Sequence, residues 1–255
     1  MNYSIKKSVA AVVLVSSVSL SAFADINETI ENSFSVEDNS TFSLSNINGS
    51  VDIVSWSENN IKVVATIEAD NQEDRDRIKV NMNQNGKRVS VITEYEKSHR
   101  SNRHSSGEVS YKVWVPAKTN LEDIELVNGS LTIEDVHGEV EAQLVNGSIK
   151  ATGLQKDSEL SSVNGSIKAY YQTFDSSMVD DVEIETVNGS IKLYLPDNAN
   201  AKLDIDTMHG SIKTDFGLRA EKNSFVGKNL KGNIGQGGAK ISLESVNGSI
   251  KVLSN

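Results

Sequence analysis

The chain has 255 residues, 24% charged and 37% hydrophobic, and its 35 acids against 25 lysines and arginines leave a formal charge of −10. An acidic chain lacks the basic footprint that neutralises phosphates, so general nucleic-acid binding is excluded. With no cysteine, a disulfide framework, a thiolate metal site and a lipid-modified N-terminal cysteine are excluded as well, and stability has to come from burial and backbone pairing.

In chain order, Lys6 and Lys7 precede an apolar run from Val9 to Leu20 that closes on Ala22-Phe23-Ala24. This is the layout of a secretory signal peptide over residues 1–24, with cleavage expected between Ala24 and Asp25. The run is too short to span a bilayer, and no later stretch approaches the length of a membrane helix. Losing the leader removes two lysines and moves the formal charge to −12. Residues 25–115 then form a less regular β region. Strand-like runs rich in Val, Ile and aromatics fall at Phe34–Leu44, Val51–Trp56, Ile61–Ile67, Ile78–Met82, Val89–Tyr95 and Val109–Val115. Between them, Asp70–Arg77 suits one helical turn, and Lys97–Ser106 is a basic loop with His99, Arg100, Arg103 and His104.

Residues 116–255 are a strand-repeat region, expected to continue the first region as one domain. Asn-Gly-Ser occurs six times, starting at Asn48, Asn128, Asn146, Asn164, Asn188 and Asn247, and His209-Gly210-Ser211 is a near-copy. Val127, Val136, Val145, Leu154 and Val163 recur every nine residues, so each nine-residue unit reads as one strand and one corner. Alternation puts Val145, Gly147, Ile149 and Ala151 on one face and Asn146, Ser148 and Lys150 on the other. Both prolines, Pro116 and Pro196, end strands and open turns. A glycine-rich excursion from Phe216 to Ala239 separates the last two repeats.

Two all-β folds satisfy this pattern. Asn-Gly between apolar residues is a hairpin signal, which gives an antiparallel meander or sandwich. Repetition at nine and eighteen residues gives a β-solenoid in which each coil stacks on its neighbour, and this is the favoured reading. Asn and Gly tolerate positive φ, as do His137 and His209 before glycine, so all of these read as turn formers. Scattered histidines do not make a zinc site, and Gly237-Gly238-Ala239-Lys240 lacks the aspartates of a calcium roll, so neither metal nor cofactor is expected.

The repeated Val-Asn-Gly-Ser-Ile-Lys, Trp56 followed by Ile61-Lys62-Val63, the Val113-Trp114-Val115-Pro116 entry and the late glycine-rich loop together resemble a family of exported bacterial proteins. That family is catalogued as adhesins or as a β-strand-repeat domain of unknown function. The resemblance covers nearly the whole chain after the leader and implies a right-handed β-solenoid; it carries no catalytic residues. The function expected is a non-enzymatic envelope module, in the periplasm, on the cell surface or secreted, presenting polar ladders. The alternative is a carbohydrate-active β-helix enzyme, a lyase or hydrolase, which needs carboxylates gathered in a cleft. Lys150, Lys168, Lys192, Lys213 and Lys251 each stand four residues after the Asn or His of their motif, so stacked coils form a basic stripe. Glu141, Glu183, Glu185, Asp204, Asp206 and Glu244 line the strands that enter the motifs. The expected partners are an anionic envelope polysaccharide or another envelope protein, engaging the stripe or the loop at Arg100 and Arg103.

Overall fold

The computed structural model describes residues 14–15, 26–96, 107–222 and 226–255. The leader apart from Leu14–Val15, the cleavage site at Ala24 and Asp25, and the basic loop with Arg100 and Arg103 lie outside the described residues.

Alternation of apolar and polar residues over up to ten positions gives strands, and among the described residues the strands form two eleven-stranded sheets. Sheet II takes the strand that enters each motif, for example Val140–Asn146, Ser158–Asn164 and Asp181–Asn188. Sheet I takes the strand that leaves it, for example Ile149–Leu154, Ile167–Tyr171 and Ile191–Leu195. Equivalent strands of successive coils pair in parallel, Asn146 with Asn164 and Lys150 with Lys168. The Asn-Gly pair therefore carries the chain from one sheet to the other and does not reverse it within a sheet, which rules out the antiparallel meander. The result is a β-solenoid with one strand of each coil in each sheet.

Between the sheets lies a single layer of inward side chains, including Ala142, Leu144, Ile149, Ala151, Leu160, Ile167, Ile184, Ile191 and Leu193, all buried. Burial of one such aliphatic side chain stabilises by about 1.5–3 kcal/mol, which replaces the missing disulfides. The nine-residue register resolves into an eighteen-residue coil with two unlike corners. Val127, Val145 and Val163 sit at the Asn-Gly-Ser corner and are exposed, whereas Val136 and Leu154 sit at the opposite corner and are buried.

Chain order and spatial order differ at both ends. Ala239–Asn247 lies between Asp181–Asn188 and Ala201–His209, so the final coil is inserted between two coils that precede it. At the other end, Thr41–Asn48 lies between Arg88–Tyr95 and Asn120–Asn128. Antiparallel strands cover three of the four sheet ends: Lys228–Ile234 covers Ala201–Thr207, Ile78–Asn85 covers Arg88–Tyr95, and Asn60–Ala69 covers Gly107–Trp114, while sheet I ends at the other side on Ile212–Thr214, paired parallel with Ile250–Val252. Caps of this kind cover the parallel repeat strands and end the stacking of further coils there.

The run Phe34–Leu44 is two strands and not one: Ile26–Ser35 pairs antiparallel with Asn60–Ala69, and Asn39 at φ 56° turns the chain into Thr41–Asn48. The helical turn forms at Gln72–Asp76, where the Asn71 side chain accepts from the Asp74 N–H. Arg75 grips Glu28 through two hydrogen bonds of 2.6 and 2.9 Å, pinning this turn to the first long strand.

Candidate ligand-binding faces

The Asn-Gly-Ser corner is built from stacked copies of itself. Asn146 Nδ2 donates to Asn128 Oδ1, Asn164 to Asn146, Asn188 to Asn164 and Asn247 to Asn188, each at 2.9 Å, and Asn128 continues the ladder to Asn48. His209 stands at the register position after Asn247. Glycine follows because the carbonyl of the neighbouring glycine occupies the place of a side chain: a Cβ on Gly147 would lie 1.6 Å from Gly129 O, and one on Gly165 would lie 1.7 Å from Gly147 O. Close approach is thus the reason that the copies of the motif share, and Gly49 in addition has φ +118°. Among the described residues, the non-glycine residues with positive φ are Asn39, Asp123 and Asp135, none of them in a repeat tripeptide, and neither His137 nor His209 is among them. The glycine carbonyls are partly met by hydroxyls beneath them, Ser162 donating to Gly147 O at 2.9 Å and Thr186 to Gly165 O at 3.0 Å.

Beyond the corner, the outer face of sheet I carries the lysines. Register pairs Lys150 with Lys168, Lys168 with Lys192, Lys192 with Lys251 and Lys251 with Lys213. All five occupy consecutive rungs, about 4.8 Å apart by strand spacing. None takes part in an ion pair among the described residues. Two positions along the strand, Tyr170 and Tyr194 stack with centroids 4.1 Å apart. Burial, followed by the Tyr194 hydroxyl, raises the Tyr170 pKa.

Sheet II presents the opposite charge. Glu141, Glu159 and Glu183 are neighbours in one row, and Glu185, Glu244 and Asp206 in another. Burial and then Asp123 and Glu159 raise the Glu141 pKa, while burial and then Glu244 raise that of Glu185. These carboxylates form open rows on the sheet. Among the described residues no three His, Asp or Glu side chains are placed to hold a metal ion.

Sequence reasoning missed a third row. Ile47, Val127, Val145, Val163, Val187, Val246 and Met208 stand on successive rungs of sheet II and are between 36% and 53% exposed. Alternation from Ile149 assigns Val145 to the inner face, but the strand before the corner buries Ala142 and Leu144, which have the other parity. The alternation slips by one at the corner and turns the valine outward. The signal was available in the sequence: Ala142 and Leu144 cannot share a face with Ile149 and Ala151 without such a slip. This row is the floor of a groove of ≈ 630 Å³, with Glu125, Glu185, Glu244 and Asp206 along one bank and Val226 at one end.

A family model described as "Toastrack DUF4097" matches residues 105–253, more than half of the chain. The chain belongs to this Toastrack family. No curated protein matches the sequence. The fold is similar to that of a "putative cell adhesion protein" from Clostridium sporogenes, with a TM-score of 0.50 at 16% identity, covering 88% of this Toastrack chain and 99% of the other. A "putative adhesin" from Bacteroides fragilis gives a TM-score of 0.41 at 11% identity, covering 89% and 97% respectively. A "putative lipid binding protein" from Parabacteroides distasonis gives 0.33 at 13% identity, covering 90% and 96%. At 16% identity the likeness to the Clostridium sporogenes protein concerns fold alone.

Proposed function

We propose that this Toastrack protein is an exported, non-enzymatic adhesin-like module of the bacterial envelope, a right-handed solenoid over residues 25–255 that binds an anionic envelope polysaccharide through its lysine face. The observation that carries this reading is the register of Lys150, Lys168, Lys192, Lys251 and Lys213 on five consecutive rungs without an ion-pair partner among the described residues. Directly opposed like charges on neighbouring strands are mildly unfavourable, and a polyanion laid along the solenoid axis relieves all of them together. The flat Tyr170–Tyr194 stack beside the row supplies a surface for sugar rings. A leader of signal-peptide layout and the adhesion name of the similar Clostridium sporogenes fold agree with export and surface attachment.

The test is the triple variant Lys150→Gln, Lys168→Gln, Lys192→Gln, with binding to an immobilised acidic polysaccharide followed at low and physiological salt. Retained folding with binding weakened by about tenfold or more at low salt is expected, because each lost cation removes a screened but additive contact. Unchanged binding at low salt would remove the lysine face as the site.

A further inference from the structure

Neither the core nor the lysine face uses the exposed valine row. A soluble β-solenoid gains nothing from holding seven apolar side chains in water at one corner, and aligned apolar surface of this kind marks an interaction site. We infer that the valine groove of sheet II docks a basic amphipathic helix of another polypeptide, laid along the solenoid axis with its apolar stripe on the valines and lysine or arginine facing the acidic bank.

Three observations select this occupant. The first is the direction of the row. It crosses the strands, and the middle strands are already paired on both sides, Ser158–Asn164 with Val140–Asn146 and Asp181–Asn188. No backbone edge is free there to add an extended peptide, so recognition has to use side chains. The second is length. Six steps between the seven rungs span about 29 Å at strand spacing, which is the length of about 19 helical residues. A helix offers an apolar residue to each turn at about 5.4 Å, close to the rung spacing, whereas an extended chain repeats a face only every 6.6–6.8 Å or so.

The third is charge. Glu185, Glu244 and Asp206 are adjacent on the bank beside Val187, Val246 and Met208, and none of the three forms an ion pair among the described residues. Stacked carboxylates beside an apolar floor disfavour anionic lipid and favour a cation-flanked stripe. Val145, Val163, Val187 and Val246 are each followed in the chain by an asparagine of the ladder, whose amides are spent on one another. The helix that fits therefore carries its positive charge along one side of its apolar stripe.

The experiment titrates the exported chain into a fluorescein-labelled 18-residue leucine/lysine peptide with leucines at helical spacing, and into a scrambled peptide of the same composition, by fluorescence anisotropy. The striped peptide should bind at least about tenfold more tightly than the scrambled one, and more weakly as salt rises. The variant Val145→Thr, Val163→Thr, Val187→Thr keeps β-branched side chains on exposed positions and should weaken binding by about tenfold with an unchanged melt. The pair Glu185→Gln, Glu244→Gln should weaken it by about threefold and flatten the salt dependence. The lysine-face triple variant should leave it unchanged, which separates this groove from the polysaccharide site. Equal affinity for both peptides, or no loss in the threonine variant, overturns the inference. So does capture of the chain by phosphatidylglycerol vesicles that the threonine substitutions abolish, since the groove would then be a lipid site.

Discussion

The middle of the solenoid and its two ends are built from the same repeat under different rules. From Asn120 to Tyr171 the coils stack in chain order at eighteen-residue spacing, Asn128 against Asn146 and Asn146 against Asn164. At the ends a coil is slotted between two others, Ala239–Asn247 between Asp181–Asn188 and Ala201–His209, and Thr41–Asn48 between Arg88–Tyr95 and Asn120–Asn128. A middle coil is thus an interchangeable unit, whereas the C-terminal coil is a wedge whose two neighbours depend on it. Repetition fixes the geometry of a rung, and the caps fix the order of the rungs.

Deletion is the strongest way to break this comparison. Removing residues 239–255 takes away Ile241, Leu243, Ile250 and Val252, all buried, and leaves the facing coils unpaired. At about 1.5–3 kcal/mol per buried side chain the loss is comparable with the whole stability of a domain, so cooperative unfolding should vanish from the thermal melt. Removing residues 140–157 instead joins Glu139 to Ser158, which already stands in register with Val140. That shortened chain should keep its β circular dichroism and a single cooperative transition. A folded C-terminal deletion together with an unfolded internal one would reverse the roles assigned to end and middle.

Glycine substitutions sharpen the same contrast. Gly147→Val places a Cβ against the Gly129 carbonyl, a backbone atom that cannot move without opening the ladder, and should cost about 3 kcal/mol or more by denaturant titration. Gly86, in the hairpin between Ile78–Asn85 and Arg88–Tyr95, has φ +60° and open space around it. Gly86→Ala should cost only about 1 kcal/mol, from backbone strain alone.

A smaller effect is expected in the asparagine ladder. Asn146 both donates to Asn128 and accepts from Asn164, so Asn146→Asp loses the donor and sets a carboxylate against the Asn128 oxygen. About 1 kcal/mol is expected, more than a surface exchange without hydrogen bonds would show. An unchanged melt would make the ladder ornamental to stability.

The smallest effect is electrostatic. The folded protein raises the Glu185 pKa above its ordinary 4.5, chiefly by burial and then by Glu244. A carboxyl with a raised folded pKa binds its proton more tightly when folded, so stability falls as pH rises from 4.5 through the folded value. Glu185→Gln should therefore stabilise at pH 7 and lose that advantage near pH 4. Solvent screening of this exposed side chain limits the gain to about 0.5 kcal/mol. Melts at both pH values check the sign, and a gain that is larger at pH 4 would contradict it.

Much of the molecule was legible in the sequence because a period-two pattern repeated at fixed spacing leaves few solutions. The strands, the corners, the stacking of Lys150, Lys168 and Lys192 and the acidic opposite sheet all follow from aligning the repeats. The exposure of Val145 follows as well, once the opposite parities of Leu144 and Ile149 are counted. Only the tertiary structure decided which coil stands beside which, since every Asn-Gly-Ser corner is chemically equivalent and Asn188 can pair with Asn247 as well as with a coil nearer in sequence. That choice depends on the non-repeating strands that close each end, where burying an edge outweighs keeping chain order. By setting Glu244 and Val246 between Glu185 and Asp206 and between Val187 and Met208, it also completes the acidic bank and the groove floor, which the linear spacing of the motifs does not contain.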